Sequence, residues 1–331
     1  MTLMKRLLGA SAVLALSAVA ALADPAIIYD VGGKNDKSFN QSASEGAQRW
    51  ATETGGTFKE LEMQSEAQRE QALRQLAEAG ANPIVMTGFA FGDALNAVAP
   101  DYPDTKFAII DTEVDQPNVK SVMFTEDQGS YLAGMMAAMA SKTGVVGFIG
   151  GMDVPTIRRF GCGYAQGVKA VNADATVIIN MTGTDGSAWN NPVKGAEIAK
   201  SQISQKADVI YAAAGGTGVG VLQAAADGGI LSIGVDDNQN PLHPGQVLTS
   251  MVKRVDNAVY EAFKAGADLT PGLTVMDLAA GGVDVAMDDN NAALVTPEMK
   301  AAVEDARAKI TSGELKVHNY TTDSTCPAAT F

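Results

Sequence analysis

Cysteine and histidine are scarce in this chain. Its 331 residues contain two cysteines, Cys162 and Cys326, and two histidines, His243 and His318. The histidines lie far apart and have no ligand-like spacing, so a zinc or iron site has no support. Positive charge is also short. Lys and Arg total 24 against 38 Asp and Glu, a net charge of −14. Such a surface repels nucleic acid and anionic lipid at long range but leaves neutral small molecules free to approach. No GxxxxGK[ST], G-x-S-x-G or HExxH occurs, and neither cysteine is placed as a nucleophile. These absences remove the P-loop, the hydrolase elbow and the zincin helix. Low-complexity segments, short repeats and a Pro/Ser-rich linker are missing too. Two domains in such a chain are joined by closely spaced crossovers, not strung like beads.

One long apolar run exists, Leu7 to Val19, preceded by Lys5 and Arg6 and followed by Ala21-Leu22-Ala23. It is shorter than the ~20 residues that span a bilayer. Its flanks are those of a secretory leader, residues 1–23, cleaved before Asp24. No Cys follows the cleavage point, so no lipid anchor is expected. The product is then periplasmic, with 331 − 23 = 308 residues and a charge of −14 − 2 = −16. In an oxidising compartment Cys162 and Cys326 are expected to pair and tie down the polar C-terminal tail.

After the leader, short apolar strands alternate with amphipathic helices. Strands are read at 26–29, 57–63, 83–87, 106–110, 121–125, 145–149, 176–181, 208–213, 231–235 and 247–252, with two short ones near 275–278 and 283–286. Helices fall between them, the last at 297–310. Continuous apolar strands each followed by a helix indicate parallel sheets covered on both faces. Two such series predict an α/β protein of two Rossmann-like lobes. The expected N-lobe is 24–125 plus 246–279, and the expected C-lobe is 126–245 plus 280–331.

Ligands of doubly wound sheets bind beyond the carboxyl ends of the strands. The first strand runs into Asp30-Val31-Gly32-Gly33-Lys34-Asn35-Asp36-Lys37-Ser38-Phe39-Asn40. Asn35, Asp36 and Ser38 suit a helix N-cap. Phe39 stands among polar residues in the first helical turn, where an aromatic can stack on a flat ligand. In the second half Trp189 occupies a similar place, between Gly186 and Pro192. Asp236 and Asp237 follow the strand 231–235, and Lys253 follows 247–252. Such groups at strand ends can hold vicinal hydroxyls. The run Gly215-Gly216-Thr217-Gly218-Val219-Gly220 mimics a dinucleotide fingerprint, with Asp236 twenty residues after Gly216. Its third glycine is misplaced, because position 221 is Val. No cofactor is expected.

The run Asp36 to Gly46 (DKSFNQSASEG) resembles the first signature of the basic membrane protein family of ABC-importer substrate-binding proteins, which includes purine nucleoside receptors. Similar blocks follow in order: Phe124–Gly134, Gly147–Met152, Trp189–Gly195, Ile233–Asp236 and Thr249–Asp256. The resemblance spans nearly the whole mature chain. It implies the type I periplasmic-binding fold with three hinge crossovers, and a binding protein, not an enzyme. It implies Phe39 and Trp189 as the two stacking rings, the second a departure from the family's usual Phe. It further implies Asn35, Asp36 and Asn40 at the base edge. Glu126 or Asp127, with Gly234, Asp236 and Lys253, would hold the ribose. The implied partners are a purine nucleoside (adenosine, guanosine or inosine) and an inner-membrane ABC permease, with the protein acting as a monomer. The alternatives are a sugar, a free base or another heterocycle as ligand, or an exported nucleoside hydrolase.

Overall fold

A computed structural model describes residues 23–331. The leader reading therefore lies, but for its last residue, outside the described residues. The chain opens with β1 (Ala26–Tyr29), α1 (Phe39–Thr54), β2 (Lys59–Glu62), α2 (Arg69–Glu78), β3 (Ile84–Met86), α3 (Gly92–Val98), β4 (Phe107–Ile110) and β5 (Val119–Phe124). It continues with α4 (Glu126–Ala140), β6 (Val145–Met152), α5 (Pro155–Val171), β7 (Thr176–Gly183), α6 (Pro192–Ser204), β8 (Val209–Ala213), α7 (Gly216–Asp227) and β9 (Leu231–Asp236). Then come β10 (Val247–Lys253), α8 (Val255–Ala265), β11 (Gly272–Met276), β12 (Val283–Val285) and α9 (Pro297–Thr311).

The strands form two six-stranded sheets, ordered β11-β5-β4-β3-β1-β2 and β12-β10-β9-β8-β6-β7. All pairings are parallel except β10 with β12. The central strands β1, β4 and β8 are buried at every position, as strands covered on both faces must be. The lobes are joined by three crossings, after Phe124, after Lys253 and after Met276.

One boundary differs from the sequence reading. Residues 247–253 were expected in the N-lobe, but β10 pairs with β9 in the second sheet, and the chain crosses back only after Lys253. Only α8 and β11 return to the first lobe, where β11 extends the sheet beside β5. An apolar strand fits either sheet equally well, and which one it joins depends on partners far away in sequence. Helix α4 begins at Glu126, which places two carboxylates in its first turn, where the helix dipole favours them.

Close helix packing in the second lobe depends on missing side chains. A Cβ on Gly134 would lie 2.1 Å from the Tyr164 carbonyl oxygen, and one on Gly167 would lie 2.0 Å from that of Tyr131. These glycines let α4 and α5 touch backbone to backbone, which fixes α5 against the hinge. Cys162 on α5 is bonded to Cys326, with Cα atoms 5.7 Å apart. The tail so held packs Phe331 against Tyr320 at 5.3 Å between ring centroids.

Candidate functional site

The carboxyl ends of both sheets face one cleft, with about 670 Å³ of space free of protein atoms, its open mouth included. The wall from the first lobe is the loop between β1 and α1. Asp36 Oδ1 accepts the backbone N–H groups of Ser38 and Gln41 at 2.8 and 3.0 Å, and Oδ2 accepts that of Asn40 at 3.0 Å. The Asp36 carboxyl thus satisfies the start of α1. The Asn40 amide donates to the carbonyls of Asp30 and Gly33 and accepts from the Thr87 hydroxyl at 2.8 Å. Both residues line the cleft, yet most of their polar capacity is spent on holding the loop. The loop in turn presents the Phe39 ring to the cleft.

The opposite wall is Trp189, at the end of a 3-10 turn that Asp185 caps through the Ser187 N–H. The carbonyl before it, of Ala188, accepts from the hydroxyls of Thr182 and Thr217 at 3.0 and 2.7 Å. The indole lies directly on Gly151 of β6, where a Cβ would sit 2.1 Å from a ring carbon. Gly151→Ala is therefore expected to displace the indole and weaken ligand binding at least tenfold. Loss of ligand-induced change in Trp189 fluorescence, read in a Trp50→Phe background, checks this. The glycine run 215–220 serves the same wall. Gly216 approaches the Trp189 carbonyl oxygen, which a Cβ would meet at 3.2 Å, and Gly220 would meet that of Pro192 at 1.9 Å. In this structure the motif packs the wall that carries Trp189.

Charge collects at the floor of the cleft. The Lys253 ammonium donates to Asp111 Oδ1 and Oδ2 at 2.7 and 2.6 Å, and lies 2.9 Å from Glu126 Oε1. Glu126 also pairs with Arg159 on α5. The ammonium stands 5.1 Å from the Phe39 ring centroid and 5.6 Å from that of Phe160, within cation–π range. Burial opposes the charge on Lys253, but Asp111, Glu126 and Asp236 outweigh it and hold the ammonium above its ordinary pKa. Burial pushes the Asp236 carboxyl up to about 7, against the pull of Lys253 and the Ser38 hydroxyl. Asp111 is raised for the same reason, burial first, with Lys253 opposing. Burial resists ionisation of Glu126 as well, but Arg159 and Lys253 prevail and keep it below the usual range.

Of the residues expected at the site, Asp36, Phe39, Asn40, Trp189, Asp236 and Lys253 line the cleft together. Five others do not. Asn35 is exposed on the loop, and Ser38 is buried with its hydroxyl on Asp236. Glu126 lies wholly buried behind Lys253, because as the first residue of α4 it points to Arg159. Asp127 is packed under α5, and burial pushes its carboxyl up to about 7. Gly234 makes room for Gln239, whose Cβ would lie 2.7 Å from a Cβ added there.

The sequence reading missed Asp111, the acid that does reach the floor. It follows β4 directly and adopts φ 73°, as Asp236 at the end of β9 adopts φ 63°. Non-glycine residues held in this region are uncommon and cluster at functional sites. The strand-end rule that found Asp236 applies equally to Asp111. Asp30, at the end of β1, was missed as well. Its Oδ1 accepts from Arg69 at 2.8 Å, and the residue lines the cleft. Phe89 and Phe160 add aromatic surface; Phe160 sits mid-helix and reads as ordinary core. Among the described residues no group of His, Cys, Asp and Glu is arranged to hold a metal ion. The arrangement suits a flat apolar ring between the walls and hydroxyls over the charged floor.

Residues 24–320 match the family model described as ABC transporter substrate-binding protein, PnrA-like. The chain is 35% identical over 320 residues to the ABC transporter nucleoside-binding protein BmpA of Lactococcus lactis subsp. cremoris, with 88% of each chain covered. It is 33% identical over 272 residues to an uncharacterized lipoprotein of Pyrococcus abyssi, covering 78% of this chain and 67% of that one. Its fold superimposes on a crystal structure of an ABC transporter system solute-binding protein from Aeropyrum pernix K1 with a TM-score of 0.83, at 28% identity, covering 90% and 93% of the two chains. The chain belongs to the Bmp family of PnrA-like ABC transporter substrate-binding proteins, and its two α/β lobes are the type I periplasmic-binding fold of that class.

Proposed function

We propose that this protein captures a purine nucleoside in the inter-lobe cleft and delivers it to an ABC permease. The observation that carries the reading is the pairing of an aromatic wall from each lobe, Phe39 and Trp189, with a floor of Asp111, Asp236 and Lys253. Base–aromatic stacking is worth about 1–3 kcal/mol per base. Carboxylates at the floor accept hydrogen bonds from vicinal hydroxyls, and the ammonium donates to them. Asp30, fixed by Arg69, stands in the same cleft as an acceptor for N–H groups on the base edge. The printed name of the Lactococcus relative supports the ligand class.

Titration calorimetry with adenosine, guanosine and inosine tests the reading. Binding is expected, and a 2′-deoxynucleoside is expected to bind at least a hundredfold more weakly, because its missing hydroxyl leaves buried charged groups unpaired. Heat from a sugar or free base, with none from any nucleoside, would reassign the ligand. Release of free base during incubation would make the protein a hydrolase. We further propose that the protein acts as a monomer in the periplasm, exported by residues 1–23 and unanchored, unlike the relative named as a lipoprotein. Recovery in the soluble periplasmic fraction tests this.

A further inference from the structure

Two segments from different lobes meet beside the cleft, 37–41 before and within α1 and 235–239 at the end of β9. Four hydrogen bonds cross between them, one of them a long contact of 3.5 Å from Ser38 Oγ to the Val235 carbonyl. Ser38 Oγ donates to Asp236 Oδ2 at 2.5 Å, Gln239 Nε2 donates to the Lys37 carbonyl at 2.7 Å, and Gln41 Nε2 reaches Asp237 Oδ2 at 3.5 Å. Ser38 and Gln239 are both buried. Lys37 and Asp236 both take left-handed backbone, φ 60° and 63°, a conformation that surrounding contacts must sustain in non-glycine residues.

Gln239 is held ready for its role. Its Oε1 accepts from the Val235 N–H at 3.0 Å, and its own N–H donates to Ser250 Oγ at 2.9 Å. Ser250 Oγ donates on to Asn240 Oδ1 at 2.9 Å. The absent side chain of Gly234 provides the space. The Gln239 amide thus belongs to the second lobe, with one N–H directed across to the first. Neither lobe needs the crossing bonds to complete its own sheet.

We propose that Ser38 and Gln239 are positioning residues that clasp the two lobes together and hold Asp236 in its ligand-facing backbone conformation. The proposal rests on the reading of the cleft as the binding site. It explains why two residues of the ligand loops are buried without lining the cleft. Each crossing bond is exchanged for water when the lobes part, so each is expected to shift the open–closed equilibrium about five- to tenfold.

The test uses two disrupting variants and one that restores the hydroxyl. Gln239→Glu keeps the acceptor for Val235 but removes the donor to Lys37. Ser38→Ala removes the donor to Asp236, and Ser38→Thr restores a hydroxyl. Labels at the exposed positions Gln71 and Lys200, one on each lobe, report the inter-lobe distance in ligand-free and nucleoside-saturated protein. Each variant is expected to lose five- to tenfold of the short-distance population, with Ser38→Thr recovering part of it. Nucleoside dissociation is expected to quicken by the same factor at unchanged association rate. Wild-type distance distributions and dissociation rates in both variants would overturn the clasp. A wild-type protein that samples the short distance but binds no purine nucleoside retires the ligand reading alone. One that does neither overturns both.

Discussion

Lys253→Met is expected to destabilise the protein by about 3–5 kcal/mol and to abolish ligand binding. The ammonium is 1% exposed and is shared between Asp111 and Glu126. Removing it leaves two carboxylates buried at the hinge with only Arg159 to compensate them, and breaking a buried pair from one side costs this much. The loss is not confined to one lobe. Lys253 ends β10 in the second sheet, Asp111 directly follows β4 of the first, and Glu126 opens the helix after the first crossing. Chemical denaturation of the ligand-free variant gives the stability loss, and calorimetry gives the binding loss. A midpoint within 1 kcal/mol of wild type would show that the floor is hydrated and its charges are independently solvated.

Asp236→Asn has the opposite sign for stability. Its carboxyl sits near 7 in the folded protein, against about 3.9 for an unperturbed Asp. The folded state therefore binds the proton more tightly than the unfolded state. This group's contribution is fully present below about pH 4 and is lost as pH rises through 7. A shift of about 3 units at 1.36 kcal/mol each sets an upper bound near 4 kcal/mol. Asn carries no charge to bury and can still accept from Ser38. The ligand-free variant is therefore expected to match wild type at pH 4 and to exceed it by about 2–4 kcal/mol at pH 8. Thermal melts across that range check the sign. Binding goes the other way. A ligand hydroxyl donating to Asp236 favours the ionised form, so wild-type affinity should rise with pH through 7, while the variant should be weaker by at least tenfold and flat with pH. Asp127, pushed to the same value by burial, lies off the cleft and adds to the stability slope of both proteins equally.

These two effects arise from residues whose visibility in the sequence differed. Asp236 and Lys253 close apolar strands, and a parallel α/β sheet delivers strand-end residues to the ligand face. Asp111 obeys the same rule, but nothing in its local sequence separates it from any acid that ends a strand. Glu126 shows the converse. Its place in a recognisable block made it a candidate for ligand contact, yet a helix start directs it to Arg159 on α5, a partner 33 residues away that reads as a solvent-facing arginine. Asp36 and Asn40 were read as base-edge groups. They do line the cleft, but only their hydrogen bonds reveal that they chiefly hold the loop.

Local pattern alone established the alternation of strand and helix, the two-lobed parallel architecture and the aromatic carried by each lobe, because burial on both faces forces apolar runs and helix starts have fixed chemistry. Tertiary structure decided which sheet receives β10, which acids reach the cleft floor and which glycines make room for Trp189 and Gln239. Those outcomes depend on pairings between residues up to about two hundred positions apart, and a residue's neighbours along the chain carry no record of such partners.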